Sequence, residues 1–135
     1  TASDDEAARI LVVDDHPVNR TLVSALLDTI SAETVEAEDG QAACEAFARE
    51  RFSAVLMDIQ MPIMDGLTAT RMIREFERES GARPTPIIML SANALPEHIE
   101  ASREAGADRH LAKPVSPAQL FDTLQAALAG DLRAA

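Results

Sequence analysis

Five short runs of strand length punctuate the chain: ILVV (10–13), ETVEA (33–37), SAVLM (53–57), PIIML (86–90) and ADRHLA (107–112). Three are continuously apolar, the pattern of strands buried on both faces. In the second run Glu36, followed by Glu38, alternates with Val35 and Ala37, so these acids are expected to face solvent. Between the runs, apolar positions return at helical spacing. Val18, Leu22, Leu26 and Ile30 mark the first stripe, and Ala42, Ala43, Ala46 and Phe47 the second. Leu67, Thr70, Ile73 and Glu77 make a weaker third, Leu95, Ile99 and Ser102 a fourth, and Leu120, Leu124, Ala127 and Leu128 the last.

Punctuation agrees with this division. Pro17, Pro96 and Pro117 fall near helix starts, where a missing N–H costs little. Ser116 with Gln119 gives a capping-box pattern for the final helix. Gly81, Gly106 and Gly130 follow helical stretches, as glycines after a helix end do. Strand and helix therefore alternate five times, which implies an α/β fold with a parallel sheet and right-handed crossovers. One domain over 9–130 is expected, with a polar leader at 1–8 and a short tail at 131–135. In open sheets of this kind, sites form at the carboxyl ends of the strands.

Composition narrows the chemistry. The chain has 135 residues, 47% of them hydrophobic, with 23 acids against 12 bases and a net charge of −11. A core is affordable at this size, and a disordered acidic tail is excluded. The acidic balance argues against nucleic acid and against an anionic membrane as partners. The single cysteine, Cys44, fits a reducing compartment and a cytoplasmic location, and its place in an apolar stripe suggests inert packing. Eleven of the twelve bases are arginine; Lys113 is the only lysine. On composition alone, a lone lysine in such a chain reads either as chance or as a position where a guanidinium will not serve.

The strand ends carry that chemistry. The first run is followed by Asp14 and Asp15, the third by Asp58, the fourth by Ser91 and the fifth by Lys113. Three carboxylates on one rim need counter-charge, and Lys113 supplies one unit of it. A divalent ion would supply the rest, and oxygen ligands favour Mg²⁺, with Mn²⁺ as the alternative.

ILVVDDHPVNR, VLMDIQMPIMDG, IIMLSANA and HLAKP together resemble the receiver domain of two-component response regulators, over about residues 9–128. DDHPVNR and MDIQMPIMDG are most similar to receivers of hybrid histidine kinases. The resemblance implies a flavodoxin-like (βα)5 fold, a doubly wound five-stranded parallel sheet in the order 2-1-3-4-5. It implies phosphorylation of Asp58 by a histidine kinase or a histidine phosphotransferase domain, with slow self-catalysed dephosphorylation. Asp14 and Asp15 would hold Mg²⁺, together with Asp58 and the Gln60 carbonyl. Lys113 would pair with phosphoryl oxygens, and Lys113–Pro114 would be a cis peptide. Ser91 would act as the switch, with Ala92 leaving room for the phosphoryl group and Gln60 and Asn93 tuning its lifetime. Val18, the first helix and the loops near Asp58 would dock the partner.

Some residues depart from this pattern or have plainer readings. Ser91 replaces the commoner threonine, and His110 stands where the family usually has Tyr or Phe. His110 is thus read either as an exposed strand residue or as a titratable substitute for the aromatic switch. His16 and His98 are read as surface residues, Met57 and Met89 as core, and Met61 and Met64 as shaping the loop after Asp58. Arg71, Arg74 and Arg78 with Glu75 and Glu79 look like a solvated helix face. Two other functions compete with the receiver: a haloacid-dehalogenase-type phosphatase, disfavoured by Gln60 two residues after Asp58, and a degenerate receiver that binds protein without phosphorylation. The sequence leaves the number of copies in the assembly open.

Overall fold

The computed structural model describes residues 8–61, 63–92, 95–113 and 115–134. Five strands alternate with five helices: β1 (Arg9–Val13), α1 (Pro17–Asp28), β2 (Glu33–Ala37), α2 (Gly40–Arg49), β3 (Ala54–Asp58), α3 (Gly66–Ser80), β4 (Ile87–Ser91), α4 (Pro96–Ala105), β5 (Arg109–Ala112) and α5 (Pro117–Ala134). All strand pairs are parallel, in the order β2-β1-β3-β4-β5, as expected.

Strand side chains alternate between two cores, because successive Cβ atoms point to opposite faces of a sheet. Leu11, Val13, Val55, Met57, Ile87 and Met89 pack on one face against Ala43, Phe47, Ala69 and Ile73 of α2 and α3. Ile10, Val12, Leu56, Ile88 and Leu90 pack on the other against Val23 and Leu27 of α1 and Leu120 and Leu124 of α5. Hence β1, β3 and β4 are apolar at almost every position and buried on both sides.

Helix ends follow their sequence signals in most places. Asp39 and Asp65 cap α2 and α3 by accepting from Ala42 N–H (2.8 Å) and Thr68 N–H (2.7 Å). Ser116 Oγ accepts from Gln119 N–H at 3.1 Å. Gly81 (φ 71°) and Gly106 (φ 114°) end α3 and α4 in the left-handed region. Gly130 does not end α5, which runs on to Ala134, so the expected helix end is corrected.

Three further expectations are corrected. The row Val18–Leu22–Leu26–Ile30 is not the core stripe of α1: Val18 and Leu22 are 78% and 54% exposed, and the buried residues are Val23 and Leu27. A strict four-residue step overshoots the 3.6-residue turn by about 40° each time, so the row winds off the buried face. Leu95, too, lies on the surface just before α4, and Ser102 and Ala105 form its buried side. Arg74 belongs to no solvated face. Its guanidinium bonds Glu77 Oε1, the carbonyls of Gly106 and Thr85, and Asp108 Oδ2, all at 2.8–2.9 Å. Glu77 Oε2 accepts from Thr85 N–H at 2.7 Å and Asp108 Oδ2 from Ile87 N–H at 2.9 Å. This network ties α3 to the leading ends of β4 and β5.

Candidate functional site

The carboxyl ends of β1, β3, β4 and β5 meet at one rim. Register sets the alignment: Val13 pairs with Met57, Asp58 with Leu90, and Ser91 with Ala112. The ladder continues past the strands. Asp14 N–H donates to Ala37 O (3.1 Å), Ile59 N–H to Leu90 O (3.0 Å) and Lys113 N–H to Ser91 O (2.7 Å). The backbone carrying the polar residues is therefore held as firmly as the sheet itself.

Asp58 lies at the centre, its side chain 6% exposed. Lys113 Nζ stands 3.2 Å from Asp58 Oδ1 and 3.3 Å from Asp14 Oδ2, bridging the two buried carboxylates. Gln60 N–H donates to Asp58 Oδ1 at 3.3 Å. Burial pushes the Asp58 pKa above the ordinary carboxylate value; Lys113 works against that shift and Asp14 adds to it. Asp14 is oriented by His16 N–H (2.9 Å to Oδ1), and its own carbonyl accepts from Arg20 Nη1 at 2.6 Å. Ser91 is buried at the same rim, and Ala92 is exposed beside it.

Ligand atoms of Asp14, Asp15 and His16 lie within 4.8 Å of one another. Asp15 Oδ1 is buried and accepts no hydrogen bond, although His16 Nδ1 is 3.1 Å away. A buried carboxylate oxygen without a donor fits a cation ligand, and the all-oxygen set of Asp14, Asp15 and Asp58 suits a hard divalent ion. With one lysine against three carboxylates, the cluster keeps a formal charge of −2 when all are ionised, which such an ion would cancel.

Gly66 shapes the loop after Asp58, and sequence reasoning gave it no role. A Cβ there would collide with the Asp58 carbonyl oxygen, and Gly66 N–H donates to Ile59 O at 2.8 Å. The signal lay in the Asp65-Gly66 pair itself: a cap followed by a residue with no side chain, where the helix start must touch the strand end.

His110 is half-buried on β5, not exposed; its Nε2 is buried without a hydrogen-bond partner. Burial lowers its pKa, and His98 lowers it further, both favouring the neutral ring. Met57 and Met89 are core residues, as expected. Cys44 packs beside Met64 Sδ (3.9 Å), and burial raises its thiol pKa, so it is held as the unreactive thiol. Asn93 and Pro114, and with Pro114 the cis peptide, lie outside the described residues.

Residues 10–125 match the response regulator receiver domain family. The chain is 45% identical over 114 residues to the sensor protein GacS of Pseudomonas syringae pv. syringae, covering 84% of this chain and 13% of that one. It is 36% identical over 118 residues to hybrid signal transduction histidine kinase M of Dictyostelium discoideum, covering 86% of this chain and 5% of that one. The chain thus spans a small part of the curated relatives it matches. Among solved structures it is similar to the receiver domain of sensor histidine kinase PA1611 from Pseudomonas aeruginosa PAO1, which holds a magnesium ion in its active-site cleft. That similarity has a TM-score of 0.82 at 38% identity, over 91% of this chain and 98% of that one.

Proposed function

The chain belongs to the response regulator receiver family, and from that premise we propose that it takes a phosphoryl group from a phosphohistidine onto Asp58. The carrying observation is the Asp58–Lys113–Asp14 cluster: a nearly buried carboxylate with one ammonium 3.2 Å away and a second carboxylate on the same ammonium.

Asp58 attacks phosphorus in line as the donor's N–P bond breaks and its imidazole leaves. Lys113 turns from the carboxylates to the phosphoryl oxygens, where its compact charge offsets the charge of the transferring group. Gln60 N–H fixes the Asp58 oxygen during the approach. Asp14, Asp15, Asp58 and the Gln60 carbonyl would hold Mg²⁺, which when bound draws charge from the phosphoryl oxygens; Mn²⁺ suits the same ligands. Ser91 would donate its hydroxyl to the phosphoryl group and report its arrival. His110 would follow Ser91 as a neutral ring, while Ala92 keeps the approach open and Gln60 and Asn93 set the lifetime of the acyl phosphate.

The donor is a histidine kinase or a histidine phosphotransferase domain. An apolar surface beside the site supports such docking: Val18 and Leu22 are exposed on α1, and Ile63 on the loop after Asp58 is 78% exposed. A cytoplasmic location goes with this reading, since histidine kinases draw on ATP; among the described residues no helix is long and apolar enough to cross a membrane.

Mass spectrometry tests the assignment. Acetyl phosphate with Mg²⁺ should add one phosphoryl group to the chain, and none to Asp58→Asn or in the presence of a chelator. Phosphorylation that persists in the variant would remove Asp58 from this role. An unmodified wild-type chain would favour the degenerate receiver.

A further inference from the structure

The pole opposite the carboxylates carries a second feature. Three of the four phenylalanines in a chain without Trp or Tyr gather there. Phe47 and Phe52 stack with ring centres 6.3 Å apart, and Phe76 meets Phe47 edge-on at 6.1 Å. Phe47 and Phe52 are buried, whereas Phe76 is 38% exposed. They floor an open cavity of about 380 Å³ between the C-terminal ends of α2 and α3, with Arg49, Arg51 and Arg83 on its edge.

These three arginines are exposed and make no hydrogen bond or ion pair among the described residues. By contrast Arg9, Arg20 and Arg74 are each engaged with acids. Among the described residues, the only acid lining the cavity, Glu50, is already held by Arg9 at 2.8 Å. A chain of net charge −11 thus presents a local cluster of uncompensated positive charge around an aromatic floor. Arginines around a small depression with an aromatic floor and a polar edge are the composition of interface hot spots. Phe52 lies six residues before Asp58, about 20 Å along an extended strand, so the feature is separate from the phosphorylation rim.

We infer that this groove docks an acidic protein segment that places one large apolar side chain on Phe76 and Phe52, with flanking carboxylates on Arg49, Arg51 and Arg83. The cavity holds one such side chain, and guanidinium forks pair well with carboxylates. The negative field of the whole molecule disfavours extended polyanions such as nucleic acid or an anionic membrane, which present charge far beyond the patch.

Titrating the ¹⁵N-labelled chain with acetyl-Glu-Asp-Phe-Glu-Asp-amide tests this. Saturable amide shifts should be confined to residues 47–52 and 76–85. The affinity should fall by about tenfold when salt is raised to about 0.3 M, and again by about tenfold in the double variant Arg51→Ala, Arg83→Ala. A peptide with serine in place of its phenylalanine, or lysines in place of its acids, should not bind. The double variant should keep its dispersed spectrum and its phosphorylation by acetyl phosphate, which separates this surface from the Asp58 assignment. No saturable shift, equal affinity in the double variant, or preferential binding of single-stranded DNA or anionic vesicles in the same titration would overturn the inference.

Discussion

A carboxylate taken out of water favours its neutral form, and Asp58 carries that tension in the native state. Its native pKa lies above the ordinary value of 3.8, chiefly through burial. Between the two values the folded chain binds more protons than the unfolded one, so stability falls as pH rises through that window. Asp58→Asn has no charge to desolvate. In metal-free buffer its melting temperature should exceed that of the wild type at pH 7, and the gap should close as pH drops to 3.8 and below, read by thermal scans across that range. Lys113 supports the opposite expectation. An arginine keeps the charge but spreads it over a planar fork that cannot sit between Asp14 and Asp58 as a point charge. Lys113→Arg should slow phosphorylation by acetyl phosphate on the order of tenfold, followed by the rate of mass gain. Both positions were legible in the sequence, because Asp58 closes an apolar strand run and Lys113 directly follows the fifth run of strand length. The half-burial of His110 was not, since β5 lies at the sheet edge and what covers it comes from α4, the element holding His98.

At the scale of elements, the strands were legible because burial on both faces leaves uninterrupted apolar runs. The face of α1 was not: choosing between Val18–Leu22 and Val23–Leu27 requires knowing where the sheet lies. Nor was Arg74, whose partners Gly106 and Asp108 lie 32 and 34 residues away. In sequence it is one basic residue among the alternating charges of α3; in the fold it is the nearly buried centre of a network joining three elements. Arg74→Ala should destabilise the domain by about 3 kcal/mol, because Glu77 would stay buried without its counter-charge, measured by urea unfolding. Gly66→Ala acts at the other end of α3. It forces α3 and the Asp58 carbonyl apart, and should cost about 1–3 kcal/mol and slow phosphorylation too, whereas the Arg74 variant should keep its phosphorylation rate at temperatures where it stays folded.

The whole molecule divides its duties between two ends. The trailing ends of the strands gather acids around one ammonium; the leading ends hold the Arg74 network and the aromatic groove. Of the 23 acids, Asp14, Asp15 and Asp58 gather at the rim, and the proposed chemistry rests on them, so placement says more than net charge. A divalent ion bound only by the folded rim should stabilise the entire chain. Mg²⁺ at about a hundredfold excess over its dissociation constant should add about 2.7 kcal/mol. The corresponding rise in melting temperature should be largely lost in Asp15→Asn, whose side chain would no longer offer an ionised ligand. Equal responses in both proteins would remove Asp15 from the ligand set.

The bond from Lys113 N–H to Ser91 O has a mechanical consequence. At 2.7 Å, it ties the two strand ends together. A shift of the Ser91 peptide would be delivered to the root of the lysine arm, so under the proposed function the hydroxyl that would sense cargo and the ammonium that would grip it turn on one pivot. Slackening that tie would leave each residue in place but let them move out of step.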